Sequence, residues 1–277
     1  MSLQARDLAF GYDHRPVGRD LSLDISAGEF VAIVGPNACG KSTLLRTLSR
    51  LLKPLGGTVL LDGRALAEQP SRKVAQRVGL LPQTASSPDG ITVMDLVARG
   101  RFPHQSAFRQ WSADDEAAVI DAMATTGVID LADRLVDELS GGQRQRVWVA
   151  MVLAQQTDLL LLDEPTTFLD ITHQVELMDL FAALHAEGRT VIAVLHDLNQ
   201  AARYASRIVA MRDGGIIAVG PPEEVITEPL VAQVFDLPCR VITDPVSGTP
   251  LVLPLGRHQR HGEDDPAPAA APGATVG

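Results

Sequence analysis

Two stretches of this chain have the residue types and spacing to hold phosphate. Gly35-Pro36-Asn37-Ala38-Cys39-Gly40-Lys41-Ser42-Thr43 satisfies G-x-x-x-x-G-K-[ST] and lies between an apolar strand-like run and a helical one. Glycines in such a loop let backbone N–H groups close around phosphate oxygens. The lysine brings a point charge to the β- and γ-phosphates, and the serine hydroxyl reaches Mg²⁺. Thr43 is placed for the α-phosphate. Further on, Leu139-Ser140-Gly141-Gly142-Gln143-Arg144-Gln145-Arg146 leads into a helical stretch running from Gln143 to about Ala154. A helix start with small residues presents free N–H groups and the positive end of the dipole, so Ser140, Gly141 and Gly142 form a second anion-seeking surface. Leu159-Leu160-Leu161-Leu162-Asp163-Glu164-Pro165 then reads as a buried strand that delivers two adjacent carboxylates to a turn. Neighbours along a strand point to opposite faces, but where the chain turns both can face one loop. Gln83, after Leu80-Leu81-Pro82, and His196, after the apolar run Val191–Leu195, stand at two more strand ends.

Those residues need a scaffold, and the hydrophobic pattern describes one. Alternation predicts strands over Leu3–Phe10, Leu21–Ile25 and Phe30–Val34, with a turn at Ala27-Gly28. A helix from Lys41 to about Leu52 follows, then a short strand Thr58–Leu61, a turn at Asp62-Gly63 and a strand-like Val78–Leu81. Over residues 84–138 the character changes. Thr92–Gly100, Ala113–Thr126 and Ile129–Leu135 have helical periodicity, and Ser112 precedes the acidic first turn Asp114, Asp115 and Glu116. This predicts a mostly helical subdomain inserted into an α/β core. The core resumes with an amphipathic helix, Asp170–Glu187, whose apolar face reads as Ile171, Val175, Met178, Phe181 and Leu184, stopped by Gly188. A buried strand Thr190–Leu195, a hairpin Arg207–Val219 around Asp213-Gly214-Gly215, and small helices near Glu223–Thr227 and Pro229–Phe235 complete it. Beyond about Gly256 the composition of His, Pro, Ala and Gly predicts a disordered tail, and no internal repeat is present.

Composition narrows the class. With 277 residues, 45% of them hydrophobic, the chain can bury a substantial core. No apolar run approaches the ~18–20 residues that span a bilayer, and the N-terminus lacks a signal-peptide pattern, so a cytosolic location is expected. The net charge of −10, from 34 acidic against 24 basic residues, disfavours nucleic acid as a partner. Cys39 and Cys239 are too few for a disulfide framework or a metal cluster, and Cys39 reads as a small filler in a reduced compartment. His14, His104, His173, His185, His258 and His261 show no metal-ligand spacing.

Together the phosphate loop, the Leu139–Gln143 run and the strand-end carboxylates resemble the ATP-binding cassette (ABC) family of P-loop NTPases. The resemblance implies an α/β nucleotide-binding domain over residues 1–255, with an antiparallel β subdomain, a helical insert at about 84–138, and a tail over 256–277. It implies ATP and Mg²⁺, with Asp163, Ser42 and Gln83 at the metal and Glu164 as the general base that polarises the attacking water. Gln83 would sense the γ-phosphate and His196 would hydrogen-bond it. Tyr12, in Phe10-Gly11-Tyr12, would stack on adenine, and Asp170 matches the D-loop while also suiting a helix N-cap. Ala38 stands where many members have glycine; a methyl group is tolerated there if the residue keeps a negative φ. One chain holds one copy of each phosphate surface, so two complete sites imply a head-to-tail homodimer. Arg99–Gln105 with Trp111-Ser112, Thr166–Gln174, Cys239–Pro245 and Gly248-Thr249-Pro250 look like the ATPase subunits of bacterial iron–siderophore importers. Vitamin B12 and haem importers have closely similar subunits, and an ATPase of a multisubunit exporter is the remaining alternative. The importer resemblance covers about residues 3–255. It implies integral membrane permease subunits, on which the chain docks at the cytoplasmic face of the cell membrane through the cleft near Gln83, and an extracytoplasmic substrate-binding protein.

Overall fold

Apolar–polar alternation at the start of the chain produces a long hairpin, β1 (Leu3–Tyr12) and β2 (Arg15–Ile25), in a computed structural model that describes residues 1–83, 86–105, 111–167 and 169–256. The hairpin turns through Asp13 and His14, both at positive φ (46° and 61°), the hand that matches strand twist in a two-residue loop. The sequence pattern places the second strand only at Leu21, because neither turn residue is glycine and Arg15–Asp20 carry little apolar signal. β3 (Phe30–Val34) is buried at every position and runs into the phosphate loop and α1 (Lys41–Leu48). This helix ends short of the expected Leu52, and Arg50 takes a φ of 67° just beyond its cap. β4 (Gly56–Leu61), β5 (Arg64–Ala65), α2 (Ser71–Ala75) and β6 (Val78–Leu81) follow. The helical insert holds α3 (Val93–Ala98), a 3₁₀ segment Arg99–His104, and α4 (Ala113–Thr125). The predicted helix over Ile129–Leu135 is only a 3₁₀ turn, Ile129–Leu131, followed by another at Val136–Glu138.

Next come α5 (Gly141–Ala154), β7 (Leu159–Asp163), α6 (Ile171–Ala186), β8 (Thr190–Val194) and α7 (Leu198–Tyr204). β9 (Arg207–Arg212) and β10 (Gly215–Gly220) form the expected hairpin, trailed by α8 (Pro222–Val225) and α9 (Glu228–Phe235). A last hairpin, β11 (Cys239–Thr243) and β12 (Pro250–Pro254), has no counterpart in the sequence reading, since its strands are half-exposed and alternate weakly. Of the tail expected over 256–277, all but Gly256 lies outside the described residues.

The strands form a six-stranded sheet in the order β10-β9-β3-β8-β7-β6 and a four-stranded antiparallel sheet in the order β2-β1-β4-β5. Within the larger sheet β9, β3, β8, β7 and β6 are parallel, and such strands bury both faces. Alternate residues therefore feed two cores. Val31, Ile33, Leu159, Leu161, Ile192 and Val194 pack with α1 and the antiparallel sheet. Ala32, Val34, Leu160, Leu162, Val191 and Ala193 pack with the helices, in one cluster that runs on into the insert through Val93, Val119, Met123 and Val147.

A buried ion pair locks the insert to α5. Arg101 and Asp115 have side chains only 5% and 4% exposed and meet at 2.8 Å. Arg101 Nη1 also donates to the Ala154 carbonyl at the C-terminal end of α5 (2.8 Å), and Ser112 caps α4 through a reciprocal pair with Asp115. The apolar face of α6 differs from the expectation. Leu177, Met178, Phe181 and Leu184 are buried, but Ile171 is 80% and Val175 41% exposed. At 100° per residue Ile171 and Val175 lie about 80° and 120° around the helix from Phe181, beyond the edge of the buried arc.

Candidate active site

Sheet order sets out the site. The phosphate loop follows β3, His196 follows β8, Asp163 and Glu164 end β7, and Gln83 follows β6, so four neighbouring parallel strands deliver these residues in a row. Ligand crevices of open α/β sheets lie at the carboxyl ends of strands for this reason. Strands repeat every ~4.8 Å, which keeps the side chains within reach of one another.

The loop Gly35–Gly40 is anchored from several sides. Gly35 has a φ of 157°, and a Cβ there would lie 2.3 Å from the Met211 carbonyl oxygen of β9. Gly214, in the β9–β10 turn, donates its N–H to the Cys39 carbonyl at 3.0 Å. Gly40 precedes α1 at a φ of 104°, and a Cβ there would come 2.8 Å from Val17 Cγ1. Lys41 is 4% exposed, and its Nζ donates to the carbonyls of Gly35 and Pro36, both at 2.8 Å, so the ammonium lies inside the loop. Pro36 is half-buried and Asn37 exposed. Thr43 is buried, and its carbonyl accepts from the Thr47 hydroxyl at 2.8 Å. Cys39 is 5% exposed in the core beneath, and burial raises its thiol pKa, which fits the filler reading. Ala38 does not meet that condition: its φ is 62°, in the left-handed region. There the methyl group is strained rather than neutral.

Asp163 and Glu164 part company at the strand end. Asp163 Oδ1 accepts from the Ser42 hydroxyl at 2.7 Å, while Asp163 Oδ2 is buried with no partner among the described residues. Burial raises the Asp163 pKa against the opposing effect of the Ser42 hydrogen bond and the Arg46 charge. An orphaned carboxylate oxygen beside a serine hydroxyl is a hard-oxygen donor set that suits a small divalent cation. Glu164 has a φ of 53°, a left-handed turn that swings its side chain away from Asp163. Its Oε1 meets His196 Nε2 at 2.7 Å, and its Oε2 accepts from Gln83 Nε2 at 2.6 Å and from the Thr167 hydroxyl at 3.3 Å. Gln83 thus touches Glu164 rather than Asp163 or Ser42. Thr167 escaped the sequence reading, because a hydroxyl in a turn carries no signal of its own. Gln145, from the second turn of α5, donates to the Pro165 carbonyl at 2.8 Å and ties that helix to the carboxylate turn.

Tyr12 is 43% exposed at the end of β1, where its hydroxyl accepts from Arg46 Nη1 at 3.1 Å. It borders a hollow of about 480 Å³ with Asp13, Arg15 and Val17, and Val17 is the residue that packs on Gly40. An aromatic ring next to a phosphate loop suits a nucleobase. Arg46 was also missed; its one clue is a cation one helical turn after Ser42.

Ser140 stands apart from this cluster. It caps α5 by a reciprocal pair, its Oγ accepting from Gln143 N at 3.2 Å and Gln143 Oε1 accepting from Ser140 N at 3.1 Å. Gly141 is exposed, with no atom within 4 Å of where a Cβ would sit. Gly142 faces Leu169 and His173 at the start of α6, where Asp170 caps the helix by accepting from His173 N at 3.0 Å. Among the described residues no hydrogen bond joins Ser140–Gln143 to Gly35–Thr43. Of the two stretches expected to hold phosphate, only Gly35–Thr43 hydrogen-bonds a carboxylate, through Ser42 to Asp163.

Known proteins resemble the chain in sequence and in fold. The ABC transporter family model matches residues 19–167. The ferric enterobactin transport ATP-binding protein FepC of Escherichia coli (strain K12) is 56% identical over 256 residues, spanning 92% of this chain and 94% of that protein. The achromobactin transport ATP-binding protein CbrD of Dickeya dadantii (strain 3937) is 48% identical over 259 residues, 93% of this chain and 96% of that one. In structure, a metal-chelate type ABC transporter in an inward-facing conformation matches with a TM-score of 0.79 at 28% identity, covering 93% of this chain and 98% of that chain. A dimeric bacterial ABC transporter cassette matches with a TM-score of 0.71 at 27% identity, covering 79% and 98%. Matched along most of its length in both sequence and fold, the chain belongs to the ABC transporter family.

Proposed function

We propose that this chain is the ATP-hydrolysing subunit of an importer for iron(III)–siderophore complexes, seated on integral membrane permease subunits at the cytoplasmic face of the cell membrane. An extracytoplasmic binding protein would deliver the substrate. The substrate class is supported by the relatives, whose names refer to ferric enterobactin and achromobactin transport. Among the described residues no helix is long and apolar enough to cross a membrane, so the path for the chelate would belong to other subunits. A groove of about 480 Å³ beside Gln83, lined by Leu51, Pro82, Trp148 and Met151, suits an apolar helix end of such a permease.

The observation that carries the hydrolytic reading is Glu164, held at both oxygens by His196 and Gln83 beside the phosphate loop. Loop N–H groups and Lys41 would bind the β- and γ-phosphates, with Thr43 near the α-phosphate and Tyr12 against the adenine. Ser42 and Asp163 would hold Mg²⁺, which when bound would neutralise charge on the phosphate oxygens, and Gln83, which here bonds Glu164, would reach toward it. Glu164 takes the proton of the attacking water, while His196 keeps the carboxylate aimed and reaches the γ-phosphate. Ser140, Gly141, Gly142 and Gln143 would complete the site from a second copy, with Asp170 close by, in a head-to-tail homodimer of two-fold symmetry. ATP then favours closure because neither surface alone satisfies the γ-phosphate, and hydrolysis releases it.

Growth tests the substrate. A strain lacking this chain is expected to fail on a ferric siderophore as sole iron source, and the wild-type chain but not Glu164→Gln restores growth. Restoration by Glu164→Gln, or undiminished growth of the deletion strain on every ferric siderophore tried, contradicts the reading.

A further inference from the structure

We propose that Asn199 is a positioning residue for His196, acting by clamping the C-terminal β11–β12 hairpin to the first turn of α7. This rests on the reading of His196 and Glu164 given above. Asn199 Oδ1 accepts from Val252 N at 2.7 Å and Asn199 Nδ2 donates to Val252 O at 3.3 Å, so a single amide takes up both backbone groups of a β12 residue. Asn199 lies three residues after His196, and the turn between them is tight. Asp197 Oδ1 accepts from Asn199 N at 2.7 Å and from Gln200 N at 3.2 Å, which fixes the direction in which the chain leaves His196.

α7 needs outside help to hold that direction. It has seven residues, too few to be stable by itself in water. A two-stranded sheet is likewise marginal alone. Each steadies the other: Val252 and Cys239 are 4% and 6% exposed in the helix-side core, and Glu228 Oε1 accepts from Val241 N at 3.1 Å on the opposite strand. The second residue of the turn reaches the other way. Gln200 Nε2 donates to Gln174 Oε1 at 2.9 Å, and Gln174 Nε2 donates to the Leu169 carbonyl at 2.9 Å, next to Asp170. His196 itself is 44% exposed at its side chain, so packing around the ring contributes little to its aim. The backbone that carries it must supply the precision, and misplacement by ~1 Å costs on the order of a hundredfold in rate.

The test is a double-mutant cycle on ATP hydrolysis by the purified full chain, read alongside binding of a fluorescent ATP analogue. Asn199→Ala is expected to lower kcat about tenfold with KM and nucleotide affinity within about twofold, and Asn199→Asp, which keeps the acceptor for Val252 N, to recover part of the loss. In a His196→Ala background Asn199→Ala should cost nothing further, because the residue acts only through the histidine. A wild-type kcat in Asn199→Ala, or the same loss whether or not His196 is present, overturns the proposal. Wild-type turnover in His196→Ala alone removes the histidine from hydrolysis, and the positioning role falls with it.

Discussion

Ala38 and Glu164 sit at φ values of 62° and 53°, where an L-residue is strained by about 1–2 kcal/mol, and both border the phosphate site. At Glu164 the strain has an evident use: it turns the carboxylate from the Asp163 side of the strand toward His196 and Gln83. At Ala38 the side chain is exposed, and nothing in the structure uses its methyl group. Ala38→Gly is therefore expected to stabilise the chain by about 1 kcal/mol, raising the melting temperature by about 2–4 °C; an unchanged or lower midpoint contradicts the strain. Asp163 shows the opposite kind of cost. Its folded pKa is raised by burial, so ionising it weakens the fold, and the penalty is full above that pKa and declines to nothing as pH falls from it to the ordinary carboxylate value. Asp163→Asn is expected to melt higher than wild type near neutral pH without metal, the gap closing toward the ordinary carboxylate range, while hydrolysis is lost. A variant that melts lower at neutral pH contradicts the account of that carboxylate.

Elements position these residues through their ends. Four parallel strands stop at one edge, and the turns after them carry the phosphate loop, His196, the carboxylates and Gln83. This was largely legible in the sequence, because fully buried strands are unbroken apolar runs and each chemical residue directly follows one. The capped start of α4 was legible too, through Ser112 with its acidic turn, whereas α5 starts at Gly141, two residues ahead of the expected Gln143. Half-exposed elements were not. The β11–β12 hairpin, the Asp13-His14 turn and the outer edge of α6 are decided by tertiary packing that local periodicity does not encode. Contacts such as Gln83 to Glu164 and Asn199 to Val252 join residues far apart in the chain, which no spacing predicts. The ion pair of Arg101 and Asp115 belongs here as well. Burial opposes the Asp115 charge, but hydrogen bonds from Ser112 and Arg101 and the Arg101 charge prevail and hold its pKa below the ordinary value. Arg101→Ala strands that carboxylate in the core and is expected to cost about 3–5 kcal/mol, read by urea unfolding. Replacing both partners by apolar residues of similar volume should restore much of the loss. A single variant as stable as wild type contradicts the locking role.

At the scale of the whole molecule, no hydrogen bond among the described residues joins the two proposed phosphate-binding surfaces. Lys41 and the carboxylates share one edge of the sheet, while Ser140 and Gly141 are exposed beside the start of α6, where Ile171 is 80% exposed. In the proposed dimer each copy closes over the triphosphate held by the other, which converts binding and hydrolysis into closing and opening. Glu164→Gln isolates that step, because it keeps the hydrogen-bonding shape and removes the base. The direct measurement is the molecular mass in solution of the purified Glu164→Gln chain with and without saturating ATP and Mg²⁺. The account predicts a monomer without nucleotide and a stable dimer with it, abolished by Ser140→Arg. A Glu164→Gln chain that binds ATP yet stays monomeric, or a dimer indifferent to Ser140→Arg, would contradict it.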